Sequence, residues 1–218
     1  MNENKEKRGI YNVTFNEKES IFIEIESIER NILGFIKDAV LIYSKGYHNI
    51  KKDKGFGAKH IKLHLEESSN GYININELLN IGKSLREYIN NFQEPFLDKE
   101  GNKERKVYEW QDEKGIRFRV VSGMFEREGL PKTPLSPFND TIVTFYSDRN
   151  LKERMLFKNP KVILFYESKE LNKQLENLLK QRNKNKEINT LLKEMKAKNI
   201  KTNKENEKSL KSLNQLSR

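Results

Sequence analysis

Apolar and polar positions recur with changing period along this chain, and each change of period marks an element. Residues 10–15, Ile-Tyr-Asn-Val-Thr-Phe, and 21–25, Ile-Phe-Ile-Glu-Ile, are rich in β-branched and aromatic side chains and predict two extended segments. Ile28, Ile32, Phe35, Ile36, Ala39 and Val40 then fall at helical spacing. A further helix is expected from near Gly57 through Glu67. Asn74 or Asn76 can cap another, with Leu78, Leu79, Ile81, Leu85, Tyr88 and Ile89 as its buried stripe. Residues 94–105 are charged and turn-rich and read as a loop. Residues 107–110 and 116–121 read as a hairpin joined through Asp112, Glu113, Lys114 and Gly115. Pro131, Pro134 and Pro137 punctuate a loop before a last strand at 141–146, Thr-Ile-Val-Thr-Phe-Tyr.

The central order of helix, helix, strand, strand, strand predicts an α+β fold, with N-terminal helices packed on a small antiparallel β-sheet and a basic helical tail behind it. Three parts follow: an N-terminal strand and helix extension over 1–49, a central domain over 50–167, and a tail over 168–218. The extension is either a docking element or part of the fold. Leu171, Leu175, Leu178, Leu179, Leu191, Leu192 and Met195 suggest a helical tail, while Asn183, Lys184, Asn185 and Lys186 weaken its middle. Beyond Ala197, fraying or disorder is expected.

Charge changes this picture in one respect. The chain has 218 residues and a formal net charge of +10, which favours an anionic partner, nucleic acid before membrane. From Glu167 to Arg218 there are fourteen Lys or Arg against seven Asp or Glu, so the tail holds most of the excess and the body carries only about +3. The tail reads as a solvated helix or as an electrostatic arm for nucleic acid. With no cysteine, disulfides and thiolate metal sites are excluded. The polar first eight residues lack the apolar core of a signal peptide, and the apolar-leaning run at 31–43 is broken by Lys37 and Asp38. A soluble cytoplasmic protein without a membrane partner is expected.

Candidate chemistry centres on 55–64, Gly-Phe-Gly-Ala-Lys-His-Ile-Lys-Leu-His, where His60 and His64 stand four residues apart. Two imidazoles aimed at one place form an acid–base device, because the unperturbed group titrates near neutrality. In the strand at 116–121, alternation puts Arg117 and Arg119 on one face, where a phosphate would satisfy them. In the strand at 141–146, Ile142, Thr144 and Tyr146 share a face by the same rule, and Thr144 and Tyr146 have hydroxyls for a phosphate oxygen or a base. Arg149 can reach in from the strand end. A metal is not expected: the glutamate of His-Glu-x-x-His is missing, and Lys59 and Lys62 would repel a cation. His48 lies in a predicted linker, and Tyr108 and Trp110 read as hairpin packing.

The glycine-flanked His-Ile helix, the basic hairpin and Ile-Val-Thr-Phe-Tyr-Ser-Asp together resemble the phage-associated branch of the barnase/EndoU/colicin/RelE-like nuclease superfamily, over roughly residues 50–150. The resemblance implies RNA cleavage without a cofactor or metal, by attack of the ribose 2′-hydroxyl on the adjacent phosphate. It makes His60 the acid–base residue and His64 a second acid–base group or phosphate ligand. Arg117 or Arg119 would stabilise transition-state charge, and Thr144 and Tyr146 would position the phosphate. No carboxylate base stands out, since alternation does not assure that Glu109 faces the site. The implied protein is a toxin or effector of a phage or other mobile element, with RNA as partner and a neutralising protein as a possible second one. The alternative is a noncatalytic nucleic-acid-binding or protein-interaction module, such as a phage-encoded inhibitor.

Overall fold

The polar N-terminus folds as a helix, where the sequence predicts a strand at 10–15. In α1 (Glu3–Thr14), Asn2 caps the first turn by accepting from the Asn4 N–H, and Glu3 and Glu6 lie in that turn, where the helix dipole favours carboxylates. Glu6, Gly9, Ile10, Val13 and Thr14 form the buried face. Reading from Ile10 alone misses this stripe, which begins at a charged residue. Glu6 is buried because Arg86 grips both its oxygens at 2.9 and 3.0 Å.

The computed structural model describes residues 2–25, 40–52, 54–100, 103–124 and 140–216. Contacts divide the chain into two units, Met1–Tyr166 and Glu167–Arg218. The fold is α+β, with a six-stranded sheet in the order β1-β2-β8-β7-β6-β5. Here β1 is Ser20–Glu24, β2 Val40–Ser44, β5 Phe96–Glu100, β6 Lys103–Gln111, β7 Arg117–Gly123 and β8 Asp140–Ser147. The sheet is mixed, not antiparallel throughout, because β2 runs parallel to β8, pairing Leu41 with Asp140 and Ile42 with Thr141. Residues 1–49, which the sequence leaves as a docking element or part of the fold, contribute α1, β1 and β2 to the first unit. Most of the helix predicted over 28–40 lies outside the described residues, and its last member, Val40, begins β2. The proline loop also lies outside them.

Within the charged stretch at 94–105, predicted as a loop, Phe96–Glu100 forms β5 and Lys103 begins β6. Phe96 pairs with Val107 and Glu100 with Lys103, and β5 stands at the sheet edge, where charged side chains discourage further pairing. The hairpin of β6 and β7 matches its prediction, from Tyr108 opposite Val120 to Gln111 opposite Arg117. Its turn is closed by Asp112, whose Oδ1 accepts from the backbone N–H groups of Lys114 and Ile116 at 2.9 Å.

Asn74 caps α3 (Ile75–Leu79) in a capping box with Glu77, and α4 (Ile81–Phe92) follows after Asn80. Leu78, Ile81, Leu85, Tyr88 and Ile89 join the core, where the Tyr88 ring meets that of Tyr108 at 5.4 Å. Trp110 stacks on Phe118 at 5.7 Å as hairpin packing. The core-facing set of the sheet includes Ile23, Leu41, Tyr43, Phe118, Val120, Ile142 and Phe145.

A separate ribbon of β3 (Tyr47–Asn49) and β4 (Lys54–Phe56) precedes α2 (Ala58–Ile61). The single helix predicted through Glu67 is this short turn of α-helix followed by a 3₁₀ turn, Lys62–Leu65. The C-terminal helix α5 runs Pro160–Leu216. It starts at Pro160, ahead of residue 168. Among the described residues, no helix is long and apolar enough to cross a membrane.

Candidate functional site

Strand β8 positions the site through an irregularity. Opposite β7, Val121 pairs with Thr144 but Ser122 pairs with Ile142, so Val143 is one residue too many. The bulge breaks the alternation that placed Ile142 on the face of Thr144 and Tyr146. Ile142 is fully buried in the core with Phe145, while Thr144 and Tyr146 keep the opposite face. The Val143 carbonyl accepts the Gly57 N–H at 2.9 Å, which ties the start of α2 to β8.

This anchorage brings all three histidines of the chain together. His60 lies on α2 and His64 on the 3₁₀ turn, with ring centroids 5.6 Å apart and planes at 85°. His48, expected in a linker, sits on β3 with its Nδ1 3.1 Å from the Nδ1 of His60. His64 in turn lies 5.9 Å from the Tyr146 ring. Its Nδ1 is 2.9 Å from the Asn70 carbonyl. A carbonyl only accepts, so the Nδ1 of His64 carries the proton and its Nε2 is the nitrogen left for other partners. All three rings are half-buried. Gly71, at φ +78°, permits the approach of His64 to Tyr146: a Cβ there would stand 3.1 Å from the Cβ of Tyr146 and 3.3 Å from the Nδ1 of His64.

Tyr146 connects the histidines to Arg119. These two residues are cross-strand partners, and Nη1 of Arg119 donates to the Tyr146 hydroxyl at 3.1 Å. Nε of Arg119 donates to Glu109 Oε1 at 2.8 Å, and Nη2 reaches the same oxygen at 2.6 Å and the Leu156 carbonyl at 2.5 Å. Burial lowers the Arg119 pKa, but Tyr146 and Glu109 outweigh it, and the guanidinium is held above its ordinary value. Each of its three nitrogens thus donates to one of these partners. Glu109 is fully buried, and its Oε2 accepts from the backbone of Lys158 at 2.7 Å and of Asn159 at 3.1 Å. With both oxygens committed, Glu109 holds Arg119 and the 158–159 backbone and is not placed as a general base.

Arg117 serves a different contact. Its Nη1 donates to the Met155 carbonyl at 2.5 Å and its guanidinium lies 4.5 Å over the Phe157 ring, with burial and then Arg154 lowering its pKa. Arg149 is likewise engaged elsewhere: its two terminal nitrogens clasp Glu77 at 2.8 and 2.6 Å, which fastens the end of β8 to the α3 capping box. The Thr144 Oγ1 is buried with no hydrogen-bond partner among the described residues. Of the predicted site, then, His60, His64, Tyr146 and Arg119 form one connected row. Thr144 shares their face, and Arg117 is tied to the segment after β8. Among the described residues no group of three or more His, Asp or Glu side chains is arranged to hold a metal ion.

Sequence reasoning leaves His48 a weak candidate in a linker and does not bring it to His60. The signal that finds it is the aromatic pair Tyr47 and Phe56, which face each other at 5.2 Å and frame the β3–β4 ribbon. Comparison of the chain with protein-family models, curated proteins and solved structures returned no match.

Proposed function

We propose that this protein is a metal-independent endoribonuclease related to the phage-associated barnase/EndoU/colicin/RelE-like enzymes, and that it acts as a toxin or effector. The observation that carries this reading is the row His60, His64, Tyr146 and Arg119, with two imidazoles beside a cation-backed hydroxyl. The order of elements within 50–150 supports it: α2, a 3₁₀ turn, α3 and α4 precede four consecutively paired antiparallel strands, β5 to β8.

In this mechanism the Nε2 of His60 takes the proton of a ribose 2′-hydroxyl as its oxygen attacks the adjacent phosphorus. The bond from phosphorus to the 5′-oxygen breaks, and protonated His64 gives that oxygen its proton. The Tyr146 hydroxyl donates a hydrogen bond to a nonbridging phosphate oxygen, with Arg119 behind it. The products are a 2′,3′-cyclic phosphate and a free 5′-hydroxyl. Two imidazoles supply both acid and base, so the reaction asks for no metal.

The second reading, a noncatalytic RNA- or protein-binding module, is favoured by the commitment of Arg119 to Glu109 and Leu156. Incubation of purified protein with total RNA in EDTA separates the two, beside a His60→Ala variant. The enzyme reading expects cleavage with cyclic-phosphate ends that the variant lowers by about 100-fold or more. RNA binding without cleavage selects the module, and cleavage that survives in the variant removes His60 from the site. If the protein is a toxin, a neutralising partner would cover this row.

A further inference from the structure

We infer that His48 is a positioning residue for His60: the two share one proton across their Nδ1 atoms, which decides the state of the His60 nitrogen that faces a substrate. The catalytic part of this inference rests on the ribonuclease reading above.

The contact itself sets the proton count. The two Nδ1 atoms are 3.1 Å apart, with the rings 5.3 Å between centroids and 18° between planes. Two N–H groups cannot face each other at that distance, and two bare nitrogens would repel. One proton therefore lies between them. When it belongs to His60, neutral His60 has a bare Nε2 and is ready to accept a proton. When it belongs to His48, neutral His60 carries its proton on Nε2 and is a donor. When His60 takes a second proton at Nε2, its Nδ1–H remains bonded to a neutral acceptor on His48. His48 thus stands where a carboxylate commonly stands behind a catalytic histidine and orients its ring, while the shared proton links the tautomers of the two rings.

The contact is built by two separate elements. His48 lies opposite Gly55 in the β3–β4 ribbon. A Cβ on residue 55 would stand 2.9 Å from the Nδ1 of His48 and 2.6 Å from the Tyr47 carbonyl oxygen, so the ring occupies space that only a glycine leaves. His60 is carried by α2, which is fixed from two sides. The Gly57 N–H donates to Val143 of β8, and the Lys59 N–H donates to the Lys45 carbonyl, both at 2.9 Å. The backbones that carry the two rings are thus each held by hydrogen bonds to neighbouring elements.

The test is nuclear magnetic resonance of nitrogen-15-labelled full-length protein, joined to RNA cleavage kinetics. We expect a scalar coupling between the Nδ1 atoms of His48 and His60 through the shared proton, absent in His48→Ala. We expect His48→Ala to lower kcat about tenfold or more, with KM changed less than about twofold. His48→Asn, whose amide reaches the place of Nδ1, recovers most of that loss. Gly55→Ala, which keeps all three histidines and crowds the His48 ring, reproduces the loss. Absence of the coupling in the parent overturns the inference, as does a His48→Ala variant that cleaves within about twofold of the parent. If the parent does not cleave RNA, the coupling alone decides. Its presence then supports the shared proton while the ribonuclease reading falls, and its absence sinks both.

Discussion

Arg119 belongs both to a buried ion pair and to the proposed site, and that governs how its row of residues can be tested. Its partner Glu109 is fully buried, so removing the guanidinium leaves a carboxylate without its counter-charge, a loss of roughly 3–5 kcal/mol. Arg119→Ala is therefore expected to lower Tm sharply, and any loss of activity would follow from unfolding as readily as from chemistry. Tyr146→Phe is the cleaner probe, since it removes one half-buried hydroxyl and leaves the Arg119–Glu109 pair intact. It should cost about 1 kcal/mol of stability. Thermal melting and RNA cleavage, measured together, should give a small Tm shift with kcat lowered about tenfold or more. Unchanged kcat would remove the Tyr146 hydroxyl from the mechanism.

At the scale of elements, buried polar side chains decide which segments dock. Arg86 joins α4 to α1 through Glu6 and to β1 through the Glu24 carbonyl at 3.0 Å. Hydrogen bonding to Glu6 raises its pKa against the opposing effect of burial. Tyr88 does the corresponding work between α4 and the start of α5, where its hydroxyl accepts from Nδ2 of Asn159 at 2.7 Å. Burial pushes the Tyr88 phenol up to about 12, against the hydrogen bond from Asn159, with Glu109 and Glu94 adding to the rise. A folded-state value above the unfolded one, about 10, favours folding fully below pH 10. That contribution is lost as pH rises through about 12. Tyr88→Phe should lose about 1–2 kcal/mol at neutral pH, because the Asn159 amide loses its acceptor. Its melting temperature should then fall less steeply than that of the parent between pH 9 and pH 12, a range of about three units over which the phenol ionises. Parallel curves would show that this phenol does not contribute to the alkaline limit.

For the whole molecule, the separation of charge from core makes a further prediction. Every buried hydrophobic side chain among the described residues lies at or before Val162, whereas Leu171, Leu175, Leu178 and Met195 are exposed. A chain ending at residue 170 should fold with Tm within about 3 °C of the full chain. The tail holds fourteen basic against seven acidic residues. If it serves as an electrostatic arm, its removal should lower the salt dependence of RNA binding by about half or more. An unchanged slope in fluorescence anisotropy titrations would confine RNA contact to the body.

Local rules were enough wherever an element carries its own signal. The Asn74–Glu77 capping box, the Asp112 turn and the alternation from Val107 to Val121 are short-range patterns, and the elements they predict are present. The helical character of the tail was readable in the same way, since its backbone hydrogen bonds close within a few residues. What depended on distant partners was not readable. Burial of Glu6 requires Arg86, eighty residues away, so the local pattern at 10–15 reads as a strand. The bulge at Val143 is a mismatch between two strands, and no single strand encodes it. The parallel pairing of β2 with β8 joins segments about a hundred residues apart. The proximity of His60 and His64 was written in their spacing, because four residues on a helical backbone bring side chains together. His48 reached them only because the ribbon folds back over Gly55 against α2, a contact between backbones that no local period records.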